Sequence, residues 1–211
     1  MTQAKRGRFI TLEGGEGVGK STQAKALAAA LRGRGIDVVE TREPGGSPGA
    51  EAIRTLLLHG TEERWTPEAE ALLFAAARAD HVARTIRPAL ERGQWVLCDR
   101  FVDSSVAYQG GAGDLGFEAI RRLHDFGSRG FLPDRTLLLR LDADEAARRA
   151  GARDVDGADL IGGRGEGYHG KVRETFDRLA EAEPERFCVI DAAGAQAEVT
   201  ARLMAALEDL L

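Results

Sequence analysis

Eight consecutive residues near the start of the chain carry the clearest chemistry. Residues 14–21 read G-G-E-G-V-G-K-S and match the pattern G-x-x-x-x-G-K-[ST]. Glycines let the backbone curl so that successive N–H groups point at a phosphate, and a helix that follows adds the positive end of its dipole. We expect Lys20 to reach the β- and γ-phosphates of a nucleotide, and the Ser21 hydroxyl to ligate Mg²⁺. This phosphate loop predicts a binding site for a nucleoside triphosphate.

Two further residue pairs have a spacing suited to a second, phosphorylated ligand. Asp99 and Arg100 directly follow the apolar run 95–98, which predicts that they lie at the carboxyl end of a strand. There an aspartate can hold a magnesium-bound water and an arginine can grip a phosphate, although a surface ion pair is the alternative. Phe74 and Arg78 are four residues apart in a helical pattern, so they project from one face of a helix. Phe74 can then stack on a flat base while Arg78 donates hydrogen bonds to its carbonyl edge. Core packing of Phe74 is the alternative.

The elements that must position these residues alternate between strands and helices. The patterns predict strands at 8–12, 37–41, 95–98, 136–141 and 187–190, and helices at 20–34, 49–59 and 67–91. Thr66 is the expected N-cap of the last of these helices, with Pro67 at its first position. This alternation predicts an α/β fold with a doubly wound, five-stranded parallel sheet and helices on both faces. Ligands of such sheets bind at the carboxyl ends of the strands.

Length, charge and composition narrow the possibilities. The 211 residues accommodate one α/β domain, and the net charge of −5 argues against a nucleic-acid or membrane partner and for a small substrate. No apolar run approaches the roughly 18 residues of a membrane span, so we expect a cytoplasmic protein. Cys98 and Cys188 lie in short apolar runs, which favours packing roles in buried strands. The histidines are not spaced as metal ligands, so surface or packing roles are expected and no zinc site is; they are His59, His81, His124 and His169.

A phosphate loop alone leaves several functions open, among them a GTPase switch, an ATPase acting on a macromolecule, and a small-molecule kinase. The guanine-reading pattern N-K-x-D cannot occur, because the chain contains no asparagine. An ATPase that handles DNA needs a basic or aromatic track, and the net charge of −5 argues against one.

Four further segments resemble the bacterial thymidylate kinase family, in order and at compatible spacing. Residues 41–46 resemble its T-R-E-P-G-G, residues 74–78 its F-x-A-x-R, and residues 99–110 its D-R-[YF]-x-x-S-x-x-A-Y-Q-G, while 188–192 resemble the strand and turn beside the adenine. The resemblance implies the P-loop nucleoside monophosphate kinase fold, with a short lid at about 148–167 in a mobile glycine-rich flap. It also implies Mg²⁺-assisted phosphorylation of dTMP to dTDP by ATP, without a general base, and a homodimer. Another small-molecule or nucleotide monophosphate kinase of the same fold is the alternative.

The resemblance also implies a role for each site residue. ATP is assigned to Gly14, Gly15, Glu16, Gly17, Val18, Gly19, Lys20, Ser21 and Thr22, with Ala192 beside the adenine. dTMP is assigned to Glu16 at the 3′-hydroxyl, Arg100 at the phosphate, Phe74 stacked on thymine, Arg78 at O4, Ser105 and Gln109 near the base, and Tyr108 against the sugar. The metal is assigned to Ser21 and Asp99. Arg42, before a proline-glycine turn, is either a solvated loop residue or a further dTMP residue on the phosphate side. Lys20, Arg100 and a lid arginine are the expected catalytic residues.

Several arginines in the lid segment could take the catalytic role. Position 17 is glycine where the eukaryotic-type enzymes carry arginine, which implies the bacterial arrangement with a catalytic arginine in the lid. The family's D-R-[IL]-E reads D-L-I-G at residues 159–162, so the expected arginine is absent there. Of the other candidates, Arg149 belongs to the preceding helix, expected to end near residue 150, and Arg164 lies between glycines. We therefore expect Arg153 to act.

Overall fold

Five parallel strands form the centre of the molecule. The structure, a computed structural model, describes residues 7–59, 64–153 and 164–211, except for the side chains of residues 152 and 153. The strands are Phe9–Glu13 (β1), Val38–Arg42 (β2), Trp95–Asp99 (β3), Arg135–Arg140 (β4) and Phe187–Asp191 (β5). They pair in the order β2-β3-β1-β4-β5, and every pairing is parallel. The predicted five-stranded α/β sheet is confirmed, with strand bounds shifted by about one residue.

Helices follow each of the five strands. They are Lys20–Gly33 (α1), Pro48–Leu58 (α2), Pro67–His81 (α3), Arg87–Glu91 (α4), Val102–Ser105 (α5), Phe117–Ser128 (α6), Ala143–Arg153 (α7), Glu166–Ala182 (α8) and Gln196–Ala205 (α9). Two π-helical segments, Val82–Ile86 and Val106–Ala112, and a 3₁₀ turn, Glu208–Leu210, complete the secondary structure of the described residues. None of the helices in this part of the chain is both long and apolar enough to cross a membrane.

Alternate residues of the sheet face two separate hydrophobic cores. Ile10 and Leu12 of β1 pack with α1 and α9, whereas Phe9 of the same strand packs with the helices between β2 and β3 and with α8. Complete burial of each such side chain contributes about 1.5–3 kcal/mol. Both faces of the sheet are therefore covered by helices, as predicted, and its carboxyl-terminal edge remains for ligands.

The helix predicted at 67–91 is not one uninterrupted α-helix. Its start is as predicted, because the Thr66 side chain accepts a hydrogen bond from the Ala69 N–H and Pro67 follows it. After His81, however, the chain widens into the π-helical segment before α4 begins. Pro88, in the first turn of α4, has no N–H and crowds the carbonyl four residues earlier. A π turn relieves such a conflict without ending the helix.

Two other expectations are corrected at the margins of the fold. The flap expected at 148–167 has helical ends, since α7 continues to Arg153 rather than stopping near residue 150 and α8 begins at Glu166. Residues 154–163 lie outside the described part of the chain. The run 187–190 was expected to be a buried strand, but β5 forms an edge of the sheet, where Val189 is 45% exposed and Cys188 is half-buried. Cys98, on the interior strand β3, is buried as predicted.

Candidate active site

One cavity of about 760 Å³ lies at the carboxyl ends of the strands, beside the phosphate loop. Predicted site residues that line it are Glu16, Gly17, Val18, Gly19, Lys20, Ser21, Thr22, Arg42, Phe74, Arg78, Asp99, Arg100, Ser105, Tyr108, Gln109 and Ala192. Each of the sequence motifs therefore contributes residues to the same cavity, as a site for two substrates requires.

The phosphate loop joins β1 directly to α1. Gly19 has φ 92° and serves as the N-cap of α1, so the helix begins immediately behind the loop. Gly17 has φ 73°, and a Cβ at this position would lie 2.0 Å from the Ala146 carbonyl oxygen of α7. Only glycine fits at position 17, because α7 packs directly against the loop.

Two cations converge on one carbonyl of this loop. The Lys20 ammonium donates to the Gly14 oxygen at 3.1 Å and to the Gly15 oxygen at 2.6 Å. Arg100 Nη1 donates to the same Gly14 oxygen at 3.2 Å. Burial, and then the charge of Arg100, lower the pKa of Lys20 to about 8. An anion in the adjoining cavity would therefore be attracted by both side chains.

Arg100 is held in position by contacts on several sides. Its backbone has φ 70°, an uncommon value for a residue with a side chain. Nη2 donates to Glu16 Oε1 at 2.5 Å, Nη1 donates to Ser104 Oγ at 3.1 Å, and the guanidinium lies 5.0 Å from the centre of the Tyr108 ring. The Tyr108 hydroxyl donates to the same Glu16 oxygen at 3.1 Å. The predicted phosphate, 3′-hydroxyl and sugar residues thus form one connected cluster.

Glu13, which the sequence analysis missed, fixes the turn that presents Arg100. Its Oε1 accepts from the backbone N–H groups of Phe101 and Ser104 at 2.7 and 3.2 Å, and its Oε2 accepts from Ser104 Oγ at 2.6 Å. The carboxyl group is fully buried, and burial together with the charge of Asp103 raises its pKa to about 8. A charged residue ending an otherwise apolar strand was the available signal.

Ser21 and Asp99 form an oxygen-rich corner where magnesium was predicted. The Ser21 hydroxyl donates to Asp99 Oδ2 at 2.6 Å, while Asp99 Oδ1 is buried with no hydrogen-bond partner among the described residues. A buried carboxylate oxygen without a donor is suited to a hard cation or to its water. In the part of the chain that the structure describes, no cluster of three or more His, Cys, Asp or Glu side chains forms a complete cage. Mg²⁺ fits this pair, because it usually binds one or two protein oxygens together with water and phosphate.

The predicted base-binding residues lie at the other end of the cavity. Arg78 is 3% exposed, and its Nη2 donates to Ser105 Oγ at 2.8 Å. Phe74 precedes Arg78 by one turn of α3, and both line the cavity. Arg78 Nε donates to Glu43 Oε2 at 2.8 Å, and the other oxygen of Glu43 contacts His81 Nδ1 at 3.0 Å. His81 is buried, in agreement with a packing role, but its bond to Glu43 was not predicted.

Gln109 completes this end of the site through a second acidic partner. Its Nε2 donates to Glu70 Oε1 at 3.0 Å, and Glu70 Oε2 accepts from Arg164 Nη2 at 2.5 Å. Glu70 is a further residue that the sequence analysis did not select. Its signal was its position one turn before Phe74 on the same helix.

The remaining arginine candidates occupy different surroundings. Arg149 lines the cavity and forms an ion pair with Glu145 one turn earlier in α7. Arg153 ends that helix, and its side chain lies outside the described residues. Arg42 lines the cavity rim and bonds to both oxygens of Glu51 at 3.1 Å, with its side chain 53% exposed.

Comparisons with known proteins agree on one family. The family model described as Thymidylate kinase matches residues 12–203. A thymidylate kinase of Rhizorhabdus wittichii is 66% identical over 205 residues, covering 97% of this chain and 99% of the relative. One from Caulobacter vibrioides is 49% identical over 203 residues, covering 96% and 95%. The crystal structure of a thymidylate kinase from Ehrlichia chaffeensis superposes with a TM-score of 0.76 at 31% identity, covering 95% of this chain and 98% of that one.

Proposed function

The chain belongs to the thymidylate kinase family and phosphorylates dTMP with ATP as donor, and from this premise we propose how its residues divide the work. The observation that carries the proposal is the Gly14 carbonyl shared by Lys20 and Arg100. Because each cation is assigned to a different substrate, we assign the meeting of the donor and acceptor phosphates to the cavity beside this carbonyl. Positioning of this kind supplies much of the catalysis in phosphoryl transfer.

The donor phosphates are assigned to the phosphate loop. Backbone N–H groups between Gly14 and Ser21 and the N-terminus of α1 bind the phosphates, with Thr22 at the start of that helix and Ala192 beside the adenine. Lys20 carries positive charge to the transferring group. Phosphate oxygens stabilise the charged form of an amine, so they oppose the lowering of its pKa by burial.

Ser21 and Asp99 are proposed to hold Mg²⁺, Ser21 through its hydroxyl and Asp99 through a bound water. When bound, the ion neutralises charge on the phosphate oxygens. The protein's own contribution is to keep both side chains at one edge of the cavity, since Ser21 begins the donor helix α1 and Asp99 ends β3.

The acceptor phosphate is assigned to Arg100, with Arg42 on the same side. Glu16 and Ser104 hold the guanidinium in one orientation, so its remaining N–H donors can bind the phosphate in a fork. A phosphate monoester oxygen is already a nucleophile at neutral pH, and no general base is required. Glu16 is assigned to the deoxyribose 3′-hydroxyl. Tyr108, whose hydroxyl donates to Glu16, is assigned to the side of the sugar where a ribose hydroxyl would have to fit.

Thymine is assigned to the pocket of Phe74, Arg78, Ser105 and Gln109. Phe74 offers a face for stacking and Arg78 a donor for O4. Glu43 and Ser105 fix the Arg78 side chain before any base arrives, which lowers the entropy lost on binding.

We assign the lid to residues 148–167, which close over the substrates. The enzyme is assigned a single domain. Arg153 is our choice for the cation that stabilises the transferring phosphoryl group. Support comes from the packing of α7 on Gly17, which leaves no room for a side chain there, and from Arg149, which lines the cavity one turn before Arg153. Closure would exclude water that hydrolyses ATP.

A homodimer in the cytoplasm completes the proposal. Phe126 on α6 is 91% exposed, and Leu72 on α3 is 56% exposed. The two helices pack against each other, since a Cβ built on Gly127 of α6 would lie 3.4 Å from the Cβ of Ala79 on α3. Large exposed apolar side chains on adjoining helices suit a contact between identical copies. Light scattering should give a dimer mass for the wild type and a monomer mass for Phe126→Glu; a monomeric wild type contradicts this part.

ADP formation in the presence of each nucleoside monophosphate tests substrate choice. Strong stimulation by dTMP, with little by dCMP, dGMP or dAMP, is the expected result. Stimulation by DNA alone would instead favour an ATPase that acts on a macromolecule.

Arg78→Ala should reduce the preference for dTMP over dCMP, because cytosine carries an amino group where thymine carries an acceptor. An unchanged preference would remove Arg78 from the base pocket.

A further inference from the structure

Glu70 links two residues on opposite sides of the base pocket. It lies in the first turn of α3, and Phe74 and Arg78 follow it at intervals of four residues, so all three project from one face of the helix. One carboxylate oxygen accepts from the Gln109 amide at 3.0 Å, and the other accepts from Arg164 Nη2 at 2.5 Å. The carboxylate is only 15% exposed.

A carboxylate in this position determines which way the Gln109 amide faces. An ionised carboxyl group can only accept hydrogen bonds, so the NH₂ end of the amide must face Glu70. The carbonyl end of Gln109 is then directed away from Glu70, as an acceptor at the cavity that Gln109 lines. Arg164 occupies the other oxygen of Glu70, so the carboxylate is held between the Gln109 amide and a guanidinium.

We propose that Glu70 is a positioning residue for base selection, which fixes Gln109 so that its carbonyl oxygen accepts the N3–H of thymine. The inference rests on the proposed assignment of the base to this pocket. Thymine presents a donor at N3 beside an acceptor at O4, which matches the acceptor of Gln109 and the donor of Arg78. Cytosine presents an acceptor at N3 beside an amino group, so it mismatches both. A Gln109 amide that turned around would instead donate to N3 of cytosine.

Arg164 holds the same carboxylate from the far side and is itself held by Tyr168. Arg164 Nη1 donates to the Tyr168 hydroxyl at 2.6 Å, and that hydroxyl donates to the Tyr108 carbonyl oxygen at 2.8 Å. Tyr108 immediately precedes Gln109, so the chain of bonds returns to the backbone beside the amide that Glu70 orients. The geometry therefore restrains both the backbone and the side chain of the base-reading residue.

The test is a comparison of kcat/KM for dTMP, dUMP and dCMP in the wild type and in Glu70→Ala. With the restraint removed, kcat/KM for dTMP and dUMP should fall together by about 10-fold, the effect of one lost hydrogen bond, while dCMP gains relative to both. The ratio of dTMP to dUMP should stay constant, because the two bases share the same N3 and O4 groups. A folded Glu70→Ala protein with the wild-type preference for dTMP over dCMP overturns the proposal.

Control variants separate positioning from a general structural role. Glu68→Ala removes an exposed acid from the same first turn of α3, so it corrects for any loss of helix-dipole stabilisation and should leave the preference unchanged. In a Gln109→Ala background, Glu70→Ala should have no further effect on the preference, since Glu70 acts through Gln109. If Glu70→Ala fails to fold, Glu70→Leu replaces it, because leucine fills similar space without an acceptor oxygen. A reduced preference in that variant supports the proposal, and an unchanged one contradicts it.

The same series distinguishes failure of this inference from failure of the base assignment. If Gln109→Ala itself leaves the preference for dTMP over dCMP unchanged, Gln109 does not read the base and the assignment of the pocket is wrong. If Gln109→Ala lowers the preference but Glu70→Ala does not, the pocket stands and Glu70 has no part in selection.

Discussion

The phosphate loop binds with the backbone of one short run of chain, whereas the base pocket is assembled from side chains on separate elements. Residues 14–21 are contiguous, and their geometry depends on glycines and on the start of α1. The acceptor half draws Arg78 from α3, Arg100 from the turn after β3 and Gln109 from the second π-helical segment. The first arrangement is local in sequence, and the second depends on tertiary packing.

The acceptor half also depends on carboxylates that face the protein rather than a substrate. Glu13 holds the turn that carries Arg100, Glu43 holds Arg78, and Glu70 holds Gln109. Each of these acids fixes a side chain assigned to dTMP. In the donor half, by contrast, Lys20 is held by two backbone carbonyls of its own loop. Changes in the donor half should therefore affect turnover directly, while changes to the acids should affect binding, selectivity and stability.

The largest effect is expected from Lys20→Ala in the donor half. Loss of the cation where transition-state charge collects should lower kcat by a factor on the order of 10³ or more, with the fold retained. A coupled assay measures turnover and circular dichroism checks the fold. Lys25→Ala, an exposed lysine of the same helix, is the control and should behave as wild type. A folded Lys20→Ala enzyme with most of its turnover would refute the assignment.

The lid arginine should give the next largest effect. Arg153→Ala should lower kcat by a factor on the order of 10² to 10³ with little change in ATP affinity, because its contact forms mainly in the transition state. Parallel measurements on Arg149→Ala and Arg164→Ala compare the other candidates, with Arg148→Ala as an exposed control on α7. Near-normal turnover of Arg153→Ala would transfer the role to one of the other two.

The free energy of unfolding of Glu43→Gln tests the acceptor half of the site. Glu43 and Arg78 are 4% and 3% exposed, so Glu43→Gln leaves a buried guanidinium without its counter-charge. The free energy of unfolding should fall by about 3–5 kcal/mol, and the KM for dTMP should rise. Glu51→Gln breaks the exposed pair with Arg42 and should change stability by less than about 1 kcal/mol. Similar losses in urea unfolding of the two variants would show that Glu43 has no special role.

A further effect concerns the pH dependence that Glu13 contributes. Its pKa is raised from 4.5 to about 8 in the folded protein, so the folded state binds the proton more tightly than the unfolded state. The resulting stability is present below the unfolded pKa and is lost as pH rises through about 8. Glu13→Gln imitates the protonated acid and should lack this loss. Urea unfolding of both proteins between pH 5.5 and 8.5 should give converging curves at low pH; parallel curves would contradict the raised pKa.

The sequence supports prediction of the donor half better than of the acceptor half. The phosphate loop, the strand before it and the helix after it were predictable because their pattern is local. Phe74 and Arg78 were identified by their spacing together with the family resemblance. Glu43 lies in the recognised segment 41–46, but its bond to Arg78 was not predicted, and Glu70 was not selected. Their partners are 35 and 39 residues away, and only the folded chain brings them together. The π turn before Pro88 was missed, since helical periodicity alone does not reveal where a helix widens.

The division of the site assigns Lys20 and Arg100 to different substrates, although both donate to the Gly14 carbonyl oxygen. Calorimetric titration of ATP alone and dTMP alone into Lys20→Ala and Arg100→Ala tests it most directly. Arg100→Ala should raise the Kd for dTMP by about 100-fold, as expected when a charged fork of donors is lost, and that for ATP by less than about 3-fold. Lys20→Ala should weaken ATP more than dTMP. Equal losses for both ligands in Arg100→Ala would contradict the division of the site into donor and acceptor halves.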